Sequence, residues 1–173
     1  MRPINLLRRV VRWRTVVGAG LMVAVAACAS CSSKAASQPA GADSCSVITQ
    51  PEAGSALGQS VKPPERGRAA VEGGVACVFY GPHAPAGANP DAPVSDSVRV
   101  VLVMGAKAKS FFDDYRGKVS AQPVSGLGDQ AYYDGIGSLS VLKGDAYVRI
   151  AVIGVPDALG AEKKLAADAL PRM

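Results

Sequence analysis

Apolar and polar positions alternate most clearly between residues 97 and 104 and again between 130 and 154. Val98, Val100, Leu102 and Met104 take turns with Arg99, Val101 and Val103. A run so apolar on both sides predicts a strand buried on two faces, hence central in its sheet. Residues 130–134, 138–143 and 146–154 are strand-like, with the turn pairs Asp134-Gly135 and Gly144-Asp145 between them. That spacing predicts a three-stranded meander. In its last strand Val148, Ile150 and Val152 face one way, while Tyr147, Arg149 and Ala151 face the other. Cys77-Val78-Phe79-Tyr80 reads as a further strand, stopped by Gly81-Pro82.

Three helices are expected between these strands. Thr49-Gln50-Pro51-Glu52 has the form of a capping box with Pro in the first turn. Ala53, Ala56 and Leu57 follow it, and Gly58 supplies a stop. A second helix should run from about Lys107 to Arg116, closed by Gly117, with Phe111, Phe112 and Tyr115 on one aromatic face. Pro156-Asp157 opens a C-terminal helix to about Leu170, with Leu165, Ala166, Ala169 and Leu170 on its apolar stripe. Residues 62–74, rich in Pro, Gly, Arg and Glu, read as a loop or an irregular edge. Residues 82–96, with four prolines, read as a long, mobile connection.

The element order is helix, two or three strands, helix, three strands, helix. A helix twice leads into a set of strands, a hint of internal duplication. The expected fold class is α+β: a single antiparallel sheet of about five to six strands, about three helices packed on one face, and one disulfide.

The first 27 residues break this pattern. Arg2, Arg8, Arg9, Arg12 and Arg14 precede the uncharged apolar stretch Val16–Ala27, and Val25-Ala26-Ala27 runs into Cys28. A 12-residue helix rises roughly 18 Å against a hydrocarbon core of roughly 30 Å, too short to span it. The layout resembles a bacterial lipoprotein signal peptide, which implies cleavage before Cys28 and a diacylglyceride on its thiol. Arg8-Arg9 also leaves twin-arginine export open beside the ordinary secretory route. The domain organisation expected is a signal peptide over 1–27, a lipid-anchored flexible tether over 28–43, and one globular exported domain over 44–173. The tether is Ala, Ser, Pro and Gly-rich without apolar periodicity.

Removing the leader changes the charge. The whole chain carries a formal +5, but all five surplus arginines lie in the leader, and 14 Lys/Arg face 14 Asp/Glu from Cys28 onward. A neutral domain lacks the basic footprint that nucleic-acid binding requires, so no nucleic-acid partner is expected. With Cys28 lipidated, Cys31, Cys45 and Cys77 remain. Cys45 and Cys77 both sit in sequence that reads as folded, and in an exported protein they are expected to pair. Cys31 is left over in the tether, as a second acylation site, a free thiol or neither.

Three local motifs carry a family resemblance. Cys45 precedes a short helix with Pro51-Glu52-Ala53 and Leu57-Gly58. A second Cys lies in the Cys77-Val78-Phe79-Tyr80 strand, and Gly126-Leu127-Gly128-Asp129-Gln130-Ala131 leads into a hairpin. Over about residues 44–170 the chain resembles the small Cys-paired lipoprotein domains of unknown function found in mycobacteria and related actinobacteria. The resemblance implies a surface lipoprotein domain with one disulfide and no established activity.

The chemistry motifs do not hold together. Gly126-x-Gly128-x-x-Ala131 matches a dinucleotide fingerprint as a string, but a strand and turn follow it where a helix is required. Ser140-x-x-Lys143 matches a serine β-lactamase box, yet in a strand these side chains point to opposite faces and read as two exposed polar residues. His83, the only histidine, lies in the Pro-rich connection without a Gly-x-Ser-x-Gly elbow. One His and scattered carboxylates assemble no metal site. Asp113 and Asp114 diverge on a helix, and Asp129 and Asp134 suit turns. No catalytic residue, cofactor or metal is therefore expected. Phe111, Phe112 and Tyr115, with Tyr132, Tyr133 and Tyr147, are the candidates for apolar binding, against the competing demand of the core for most of the eight aromatics outside the leader.

The expected function is a non-enzymatic binding or accessory domain on the outer face of the cell membrane. It is held there by lipid on Cys28 and directed at an envelope protein. The alternatives are a carrier of an apolar ligand in a helix–sheet pocket and a hydrolase with an unrecognised site.

Overall fold

In a computed structural model, residues 43–173 are described. The expected leader, the expected lipid site at Cys28, Cys31 and nearly all of the expected tether lie outside the described residues. Three helices and seven strands follow in the order α1 (Gln50–Leu57), β1 (Glu65–Ala69), β2 (Gly74–Tyr80), β3 (Ser97–Met104), α2 (Ala108–Arg116), β4 (Gln122–Pro123), β5 (Gln130–Tyr133), β6 (Leu139–Lys143), β7 (Ala146–Ile153) and α3 (Ala158–Ala169), with a final 3₁₀ turn over Leu170–Arg172. The strands form one antiparallel sheet in the order β1-β2-β3-β7-β6-β5-β4.

The local signals act as physics expects. Thr49 Oγ1 accepts from Glu52 N, and Glu52 Oε2 accepts in return from Thr49 N at 2.7 Å. This capping box satisfies two of the free N–H groups at the start of α1. Gly58 ends the helix with φ +67°, a left-handed geometry that suits glycine. Cys45 and Cys77 are bonded, with Cα atoms 5.0 Å apart. Beside them Ser44 extends the sheet: its hydroxyl donates to Val75 O at 2.7 Å and accepts from Leu102 N at 3.0 Å. At the other end Arg172 ties the C-terminus to α1, donating to Val47 O at 2.8 Å and pairing with Glu52 at 2.6 Å.

The antiparallel α+β class stands, with two differences in detail. The sheet has seven strands because β1 and β4 join as edges. β1 reads Glu-Arg-Gly-Arg-Ala, a charged edge without alternation, and β4 is two residues long. The helices do not share one face. Val98, Val100, Leu102, Val148, Ile150 and Val152 meet α1 and α3. Val103, Leu142 and Tyr147 project to the opposite face and meet α2 through Phe112. A strand apolar on both sides needs a cover on each, so β3 itself requires this division. The two helix-led sets of strands meet at β3–β7 with α1 and α2 on opposite faces, so the repetition lies in element order only.

The Pro-rich connection is also part of the fold. Ala84, Ala88 and Val94 pack on Ala76, Val78, Tyr80 and Val101, over the part of the second face that α2 leaves open. Gly67 permits this close approach, since a Cβ there would lie 1.9 Å from Pro90 O.

Candidate functional site

The second sheet face has two covers, α2 and the 82–96 connection, and a groove of about 410 Å³ lies between them. Arg99, Val101, Arg149 and Ala151 form its floor. Tyr115 of α2, the β5–β6 loop and Pro93 form its walls, and Ile153, Val155 and Ala158 lie at one end.

The polar wall is a locked network. Asp134 directly follows β5 and is 2% exposed. Its Oδ1 accepts from the main-chain N–H of Ile136, Gly137 and Ser138 at 2.9, 2.8 and 2.9 Å. Its Oδ2 accepts from Tyr115 at 2.9 Å and from the Ser138 hydroxyl. Burial opposes the ionised form, but the Ser138 hydroxyl and the three backbone donors hold this carboxyl below its ordinary value. The loop is thereby pinned, and its tip carries Ile136 into solvent at 83% exposure.

The basic floor is more open. Arg149 is stacked on Tyr115, its Cζ 4.5 Å from the ring centre. Its Nε lies 2.9 Å from Glu72 Oε1, and Nη2 donates to Oε2 at 3.2 Å. The Glu72 side chain is wholly buried by this pair, while Arg149 retains 16% exposure. Burial disfavours the Arg149 charge, yet Glu72 and the tyrosines around it hold its pKa above the ordinary value. Arg99 is half-buried and donates to the carbonyls of Pro90 and Arg68.

The aromatic candidates divide between groove and core. Tyr115 and Tyr133 line the groove. Phe112 is fully buried, edge-on to Tyr132 at 4.9 Å and to Tyr147 at 5.7 Å, and Phe111 packs at the margin of that cluster. Burial raises the Tyr132 pKa to about 12 and pushes Tyr147 higher still. These phenols stay protonated and structural.

The other motif residues have structural roles. His83 is an exposed imidazole whose Nδ1 lies 3.7 Å from Asp96. Ser140 is buried, not exposed, and shares a hydrogen bond of 3.3 Å with Tyr147, because β6 turns it toward the α2 side. Lys143 reaches Leu170 O at 2.7 Å. Gly126 and Gly128 take left-handed φ values in a turn, after which Asp129 N donates to Leu142 O. Asp129 Oδ2 then accepts from Gly144 N at 2.6 Å. Asp113 pairs with Lys109 one turn away. Among the described residues no group of three or more metal-ligating side chains converges.

Sequence reasoning missed Arg99 and Arg149 as groove residues, and Glu72 as the buried partner of Arg149. The available signal was an arginine at an inward position of each of two strands that are otherwise apolar.

By class this is a disulfide-bridged antiparallel α+β domain whose second sheet face carries an arginine-floored groove. Comparison with family models, with curated proteins and with solved structures finds no match to the chain.

Proposed function

We propose that this chain is an exported lipoprotein domain, anchored through Cys28 to the outer face of the cell membrane, that acts by binding and not by catalysis. Its resemblance to Cys-paired actinobacterial lipoprotein domains, its leader and the Cys45–Cys77 bond support export, because disulfides persist in oxidising compartments. The groove carries the binding reading. Its carboxylate is saturated by five donors, its arginines are held by Glu72 and by carbonyls, and its walls are preformed. Such a set holds and orients a guest. The envelope partner expected on this reading should appear by in-cell crosslinking above background.

The anchor has a direct test. Cys28→Ser should move the protein from the membrane fraction to the medium, read by fractionation and immunoblot. Unchanged membrane retention would refute lipidation.

One observation favours the carrier as a second reading. The groove has the volume of a small-molecule site, and Ile136 stands exposed at its rim. Native mass spectrometry of the Cys28→Ser protein after gentle extraction should then show a bound mass. A clean apo mass is the losing result.

A further inference from the structure

The chemistry of the guest follows from the groove floor, an inference that rests on the ligand-carrier reading just given. In the β3–β7 pairing Arg99 lies opposite Ala151, and Val101 opposite Arg149. The two arginines are therefore diagonal neighbours on one face, about 7–8 Å apart at the backbone. Arg149 has its counter-charge in buried Glu72. Arg99 has none: it donates only to main-chain carbonyls, and no ion pair among the described residues includes it.

The nearby acids are already committed. Asp91 is held by the main chain and the guanidinium of Arg68. Asp134 is filled by the β5–β6 loop and the two hydroxyls. Burial first, and then the neighbouring Arg149, disfavour the Arg99 charge, and Glu72, Tyr80 and Asp91 offset this only in part. A half-buried guanidinium with no direct ion-pair contact can take one from an anion arriving from solvent. Beside the polar wall of Tyr115, Asp134 and Ser138, the groove also has an apolar lining of Val101, Ala151, Ile153 and Ile136.

We propose that the groove binds an anionic amphiphile. A single carboxylate or phosphate group would sit on Arg99 beside Arg149, and an apolar chain would lie along Val101, Ala151 and Ile153 toward Ile136. Arginine suits such an oxyanion because its planar fork makes charge-assisted hydrogen bonds.

Three probes of equal chain length test this on the detergent-free Cys28→Ser protein by calorimetry: decanoate, decyl phosphate and decanol. Decanoate or decyl phosphate should bind about tenfold or more tighter than decanol, the value of one charge-assisted contact. The better of the two identifies the headgroup. Arg99→Met should remove that advantage, read as the ratio of anion to decanol affinity in the same variant. Because Arg99 also braces the 82–96 connection, the salt dependence of the unsubstituted floor provides a second measure. Added salt should weaken the two anions and not decanol.

Equal binding of all three overturns the anion preference and leaves the carrier reading intact. Binding of none overturns both. Acetate or inorganic phosphate binding as tightly as the long-chain anions overturns the apolar half of the proposal.

Discussion

Replacing Cys45 and Cys77 together by alanine is expected to cost roughly 3.5 kcal/mol of stability, the chain-entropy value for closing a loop of about 32 residues. For a domain of this size that is a fall of about 10 °C in melting temperature. The loss should be larger in effect than its loop length suggests at one place. Cys45 adjoins Ser44, whose hydroxyl joins Val75 to Leu102, and it leads into α1. Releasing the bridge frees that lead from β2, so hydrogen exchange should rise first around Ser44 and α1. Thermal melts with and without reductant read the first effect. An unchanged midpoint would reject a stabilising role for the bond.

The second large effect is a loss of stability as pH rises. Glu162 of α3 is wholly buried against the first sheet face. Its Oε1 accepts from Val152 N at 3.1 Å, and its Oε2 has no partner. Val152 N is free to donate because β6 pairs with β7 only as far as Ile150, and the carboxyl fills the place the missing strand residues would take. Burial raises this carboxyl from its ordinary value of 4.5 to about 7.

The sign follows from proton counts. Below about 4.5 both folded and unfolded chains hold the proton. Between about 4.5 and 7 the unfolded chain releases it and the folded chain keeps it, so stability falls as pH rises. The loss is on the order of 3 kcal/mol and is complete just above the folded pKa. Glu52, pulled down to about 2 by Arg172, works in the opposite direction and only at lower pH. Glu162→Gln should flatten the curve between pH 5 and 8 and leave the variant more stable than the parent at pH 8. Urea unfolding across that range measures it, and an unaltered slope in the variant would sink the assignment.

Much of this architecture was readable before any coordinates. The capping box at Thr49–Glu52, the glycine stop at Gly58, the β3 alternation and the meander with its two turn pairs depend on residues within a few positions of one another. They fold as read because both partners of each interaction lie in the same stretch. The Cys45–Cys77 pairing was legible for another reason: these are the two cysteines that fall in sequence reading as folded.

Other features were hidden by distance along the chain. β1 looked like a loop because an edge strand of Glu, Arg and Gly has no apolar rhythm to report. The 82–96 connection looked mobile because its cover of the sheet depends on Gly67, which belongs to a different strand. Phe111, Phe112 and Tyr115 formed one aromatic stripe in sequence. The structure divides it, placing Phe112 in the core, Phe111 at its margin and Tyr115 at the groove, since a helix stripe meets whatever the sheet sets beneath each turn. Glu162 shares the buried stripe of α3 with Leu165, Ala166 and Ala169, and there it is the partner of a strand N–H.

The sequence alone determined the three helices, the strands other than β1 and β4, and that the sheet is antiparallel. These are consequences of periodicity and of local hydrogen bonding. Only the tertiary structure decided that the helices divide between two faces, that a groove opens between α2 and the Pro-rich connection, and that Arg99 and Arg149 meet on its floor with only Arg149 in an ion pair. The physical reason is register. Which side chains share a face across β3 and β7 is set by how distant strands align, and the charge left over at Arg99 exists only after that alignment is made.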